Sequence, residues 1–170
     1  RLVCIGSGQI EGRDYYTKQA PTPNWSTTLI LIAEGTIEDG DSFQFDMTQY
    51  FQRTECETPS GKMLLIPPPN FQRYEYDESG NKVRVLWESN MWLQGGKGAG
   101  AASQLKLISL LLSHRYKRSV MDGQLFMKAD ATGKIRFTVH VDDGAGWSSS
   151  RTLSKELYDI LVEVWPDLKW

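Results

Sequence analysis

Histidine and cysteine are scarce in this chain: its 170 residues hold two of each, His114 and His140, Cys4 and Cys56. The cysteines stand far apart, with no CxxC and no Cys/His cluster at ligand spacing, so no zinc site is expected. They can pair only if the fold brings them together. There is no GxSxG elbow, and two histidines leave little room for serine-hydrolase chemistry. Long apolar runs are missing as well. The longest, Leu107 to Leu112, is interrupted by Ser109 and falls well short of the roughly 20 residues needed to cross a bilayer, so no membrane partner is expected. Net positive charge is also lacking, because 19 Lys+Arg against 21 Asp+Glu leave −2. Any attraction to nucleic acid must come from a local patch. The first residues show no basic segment followed by an apolar one, and the compartment of this expectedly soluble chain stays unknown.

What is present fits an ordinary folded protein. Hydrophobic residues make up 40% and charged residues 24% of the chain, without low-complexity tracts or blocks of like charge, which predicts a single domain, residues 1–170, around one core. Leu2 to Ile5 reads as a short strand closed by Gly6-Ser7-Gly8. The run "STTLILIAEGTI" is aliphatic and β-branched, the pattern of a strand buried on both faces at the centre of a sheet. Phe43, Phe45 and Met47 alternate with Gln44, Asp46 and Thr48 as in a half-buried strand. "KMLLIPPPNF" is a short strand stopped by three prolines.

Tyr74 to Trp87 and Met127 to Val141 each place an acidic residue, a hydroxyl and a glycine in a tight loop, and both read as hairpins. "YEYDESGN" resembles the Tyr-Asp units of large secreted toxins, but it occurs once and a repeat fold needs several copies, so turn chemistry explains it. Two segments carry helical periodicity. One runs from Ser103 to about Arg118, and the other lies near Thr152 to Trp165 with Leu153, Leu157, Ile160, Leu161 and Val164 on one face. The predicted fold class is α+β: an antiparallel or mixed sheet built largely from hairpins, with two principal helices (about 103–118 and 152–165) packed on one face.

Candidate sites follow from the glycines and cations. "GGKGAG" (Gly95 to Gly100) enters a helix, where free amides and Lys97, with Gly98 and Gly100, can hold a phosphate or carboxylate. It lacks the Walker spacing and the hydroxyl after the lysine, and it fails the dinucleotide fingerprint; the alternative is a mobile loop or tight backbone packing. In the second hairpin Lys134, Arg136, Thr138 and His140 share one face, and Phe126 and Lys128 join it if the earlier arm pairs in register, the combination used for single-stranded nucleic acid. The competing reading is a solvated face. Arg115 and Lys117 lie at a helix C-terminus, where cations complement the macrodipole.

His140, Asp142 and Asp143, followed by glycines and serines, are the catalytic candidates by residue type. Trp147, between glycine and serine, is the candidate partner contact, while Trp87 and Trp92 are candidate core residues. The acidic group Glu34, Glu38, Asp39, Asp41 and Asp46 lacks calcium-loop spacing, so neither a metal nor a cofactor is expected. The leading expectation is a non-enzymatic module binding a nucleic-acid strand or nucleotide through Lys97, Arg115, Lys117, Lys134 and Arg136. Its rivals are a protein-interaction or homo-oligomeric assembly module using aromatics and sheet edges, and a small hydrolase or phosphotransfer enzyme. The last requires one pocket joining His140, Asp142 and Asp143 to Lys97.

Overall fold

The computed structural model describes residues 3–170. In chain order the elements are α1 (Trp25–Ile37), β1 (Asp41–Asp46), β2 (Met63–Leu65), β3 (Tyr74–Tyr76), β4 (Lys82–Arg84), β5 (Trp87–Ser89), α2 (Ala99–Ser113), β6 (Lys117–Arg118), β7 (Leu125–Asp130), β8 (Gly133–His140), β9 (Asp143–Ser148) and α3 (Arg151–Val164). The fold is α+β, with an antiparallel five-stranded sheet ordered β1-β9-β8-β7-β6 and two small two-stranded sheets, β2-β5 and β3-β4. Leu2, where the N-terminal strand was expected to begin, lies outside the described residues. Val3 to Ile5 are not in a strand; the Cys4 amide instead donates to the Gln94 carbonyl at 2.7 Å.

The alternation of β8 divides the main sheet into two faces. Ile135, Phe137 and Val139 are buried and pack with Phe126 of β7 against Leu107 and Leu111 of α2 and Leu153, Leu157, Ile160 and Leu161 of α3. The β9 sequence "DGAGWS" follows from the same alternation. Gly144 and Gly146 sit where a Cβ would strike the Phe45 ring and the Phe137 Cβ, while Trp147 takes the opposite face. Phe137 is the hub of the core, with the rings of Phe43, Phe45, Tyr116 and Phe126 centred 5.7 to 6.2 Å away. Ser150 caps α3 by accepting from the Leu153 amide. A second apolar cluster gathers Tyr15, Cys56, Met63, Trp92 and Ala99, and Phe51 packs against both clusters.

Two further sequence expectations need correction. "STTLILIAEGTI" forms α1 rather than a central strand. A continuous apolar run has neither a 2-residue nor a 3.6-residue period, so periodicity cannot choose between the two forms. The choice is made by packing. Glu34 and Glu38, one helical turn or about 6 Å apart, match Arg136 and Lys134, two strand residues or about 6.7 Å apart, and pair with them as Glu34–Arg136 and Glu38–Lys134. The helix of Leu105–Leu112 is also displaced from its expected bounds. It begins at Ala99 and ends at Ser113, after which Arg115 adopts a left-handed φ of 66° and turns the chain into β6.

Removing the hub should be costly: Phe137→Ala is expected to destabilise the fold by about 3–5 kcal/mol, read as a lower urea midpoint with an unchanged slope.

Candidate functional site

The glycine loop is a packing junction. Lys97 donates its Nζ to the Gln9 carbonyl at 2.9 Å and the Ser7 carbonyl at 3.4 Å, and its amide to Gln9 Oε1 at 2.7 Å. A Cβ at Gly98 would meet the Trp92 ring at 2.6 Å and Tyr15 at 2.8 Å, and one at Gly100 would meet Ala20 at 3.2 Å. Gly95, at φ 91°, lies so close to the Cys4 carbonyl that no side chain fits there. The loop therefore clamps the N-terminal segment to the start of α2, and its lysine already has oxygen partners from the chain itself.

The cations of β8 are likewise engaged. Lys134 reaches both Glu38 oxygens at 3.0 and 3.1 Å, and Arg136 pairs with Glu34. α1 lies across the Arg136 part of the face expected to be solvated or ligand-binding, while Lys134 and His140 stay exposed. Phe126 and Lys128 do not join it, because the register sets them opposite Phe137 and Ile135, on the other face. Lys128 runs to Glu156 and the His114 carbonyl. Trp147, the candidate partner contact, is buried between the sheet and α1, where Gly35 and Gly40 make room for its ring. Trp92 is buried as expected of a core residue, whereas Trp87 is exposed. Arg115 and Lys117 are exposed at the β6 edge, a position where charge blocks strand addition.

His140 and Asp143 are register partners beside the tight β8–β9 turn, in which Val141 has φ 60°. They line a cavity of about 460 Å³ with Asp46, Thr138, Lys169 and Trp170. Lys97 is not in its wall, so the single pocket required by the enzyme reading does not form there. Asp142 stands apart from its neighbour: burial raises its carboxyl above the usual range, and Asp143 and Asp46 add to the shift against the opposing effects of its own backbone and His140. Among the described residues, no group of three or more His, Cys, Asp or Glu side chains is arranged to hold a metal. Of the five clustered acids, Glu34, Glu38, Asp41 and Asp46 all face cations.

A larger cleft, about 910 Å³, lies between the N-terminal segment and the β2 arm, walled by Val3, Met63, Leu65, Pro67 and Leu93. Its charged rim is internally matched, Arg13 to Asp14 and Lys62 to Glu88. Cys4 in its wall and the buried Cys56 are free thiols; burial pushes both up, Cys56 to about 11 with a further contribution from Cys4. Neither is poised as a nucleophile at neutral pH.

A surface that combines unpaired positive charge with aromatic rings is the β3–β4 hairpin, which lies outside the residues expected to form the site. Its register sets Tyr74 opposite Arg84 and Tyr76 opposite Lys82, so two tyrosines and two cations share one face while Glu75 and Val83 take the other. Every residue of both strands is exposed. Lys82 Nζ lies 4.7 Å and the Arg84 guanidinium 5.8 Å from the Tyr74 ring centre. Among the described residues neither cation enters an ion pair. The turn is locally stiff: Asp77 Oδ1 accepts the Ser79 and Asn81 amides at 2.9 and 2.8 Å, and Gly80 supplies φ 79°. The signal was legible in "YEY" followed by "KVR", where a 2-residue period on both arms places the rings and cations together.

Comparison with protein-family models, with curated proteins and with solved structures returns no match.

Two outcomes follow from the site's electrostatics. A double-mutant cycle of Glu34→Gln and Arg136→Met should return a coupling of about 1 kcal/mol, as suits a half-exposed pair, and less at high salt. Asp142 has a higher pKa folded than unfolded, so the folded state binds the extra proton between the two values and stability falls as pH rises through that window. Asp142→Asn should remove this fall and be more stable than the parent at neutral pH, as read from urea midpoints across the carboxylate range.

Proposed function

We propose that this chain is a non-enzymatic binding module for an anionic ligand, a single-stranded nucleic acid, held on the tyrosine and cation face of the β3–β4 hairpin. The observation that carries the reading is the register that places Tyr74, Tyr76, Lys82 and Arg84 on one exposed face. Tyr76, 76% exposed as a residue, offers a ring for base stacking, Tyr74 beside it is flanked by the cations, and Lys82 and Arg84 supply the charge that follows a phosphate backbone. Glu75 takes the opposite face and Asp77 and Glu78 lie in the turn, so the attraction must come from the Lys82 and Arg84 side of the hairpin alone. Lys97, Lys134 and Arg136 support the fold in this reading, because their charges are met within the chain.

The test is fluorescence anisotropy of a labelled oligothymidine at several salt concentrations. Affinity should fall linearly on a log–log plot, and each of Lys82→Ala and Arg84→Ala should lower the slope by about 0.7. Tyr76→Ala should weaken binding by about 1–3 kcal/mol, whereas Lys134→Ala and Arg136→Ala should leave it nearly unchanged. Absent or salt-insensitive binding contradicts the proposal.

A further inference from the structure

Helix α1 is inverted with respect to water. Its one charged residue, Glu34, turns toward Arg136 on the sheet, and Leu31 and Gly35 are buried against it. Its outer side carries Trp25, Leu29, Ile30, Ile32 and Ile37, which are 75%, 49%, 60%, 62% and 83% exposed. At 100° per residue Leu29 and Ala33 fall near the middle of this side, opposite Leu31. The apolar surface continues past the N-terminus of the helix. The Asn24 amide donates to Asp122 at 2.8 Å, which brings the loop carrying Val120 and Met121, 100% and 91% exposed, to the same end as Trp25.

The helix side chains alone expose on the order of 600 Å² of apolar surface, the upper end for the largest patch on a monomer. Two such faces together would remove on the order of 1,200 Å², the size at which specific stable interfaces begin. α1 contains no Lys or Arg, so it lacks the cationic flank by which interfacial helices engage anionic lipid. Its 13 residues also fall short of a bilayer's width. With no charge on the outer side, a second copy meets no like-charge repulsion, and antiparallel pairing opposes the two helix dipoles favourably.

We propose that the chain self-associates as a two-fold dimer, with the outer face of α1 packed antiparallel against α1 of a second copy. This does not depend on the nucleic-acid reading. It is tested on the full chain under reducing conditions and without oligonucleotide. Light scattering across a micromolar concentration series should approach twice the 19.3 kDa chain mass and be insensitive to added salt, with amide exchange across residues 25–37 slowing as the dimer forms. Leu29→Asp and Ile32→Lys should each give a monomer with unchanged circular dichroism. Should either variant fail to fold, Ala33→Cys provides an independent readout, because mild oxidation should link two copies through peptides bearing residue 33. A monomer at every concentration overturns the proposal, as does a dimer that survives both charged substitutions. A monomer that co-sediments with phosphatidylcholine/phosphatidylserine vesicles also overturns it and assigns the face to lipid.

Discussion

The 2-residue alternation of β8 is the constraint on which the rest of the structure depends. One side, Ile135, Phe137 and Val139, needs an apolar cover, and α2 and α3 supply it. The other side presents Lys134 and Arg136, and only an element with carboxylates at matching spacing can lie across them without leaving charge unpaired. Glu34 and Glu38 provide that spacing from a helix. The antiparallel order follows from the same strand: β7 and β9 join it through tight turns at Asp130–Gly133 and His140–Asp143, and in β9 Gly144 admits the Phe45 ring and Gly146 the close approach of the Phe137 Cβ.

This division of β8 has two consequences at the surface. Glu38 and Glu34 match the β8 cations Lys134 and Arg136, and Glu156 matches Lys128 of β7, whereas on the β3–β4 hairpin, outside the main sheet, Lys82 and Arg84 stand beside exposed tyrosines with no ion pair among the described residues. Because α1 commits its carboxylate inward, its aliphatic residues face out. Leu31 meets the sheet while Leu29, Ile30 and Ile32 face away from it, so α1 carries aliphatic residues on two sides and the sheet covers only one.

Much of the fold was legible in the sequence, and the failures share a physical cause. The two hairpins, the Phe43/Phe45/Met47 strand and the α3 face all carry a clear period and they form, the first hairpin ending at Arg84 because Trp87 begins β5 and pairs with β2. Period says nothing across the apolar run "LILIA", so it reads as a strand, and the pairing that holds it as a helix on the sheet, Glu34 with Arg136, spans 102 residues. The candidate site suffered from the same blindness to pairing. Lys134, Arg136 and Lys97 were recognised as cations, but a one-dimensional pattern does not reveal which glutamate or carbonyl will meet them. Trp147 was misplaced because Gly35 and Gly40, which open its pocket, lie far away in sequence. Tyr74, Tyr76, Lys82 and Arg84 needed no long-range information, only the period already used to recognise their hairpin.

The central claim is that the charges of β8 serve the fold and those of the β3–β4 hairpin serve a ligand. It is tested most directly by following backbone amide resonances during titration with a short oligothymidine. The account predicts shifts concentrated at residues 74–84, with residues 134–136 still. Shifts concentrated at Lys134 and Arg136, with the hairpin unmoved, would contradict it.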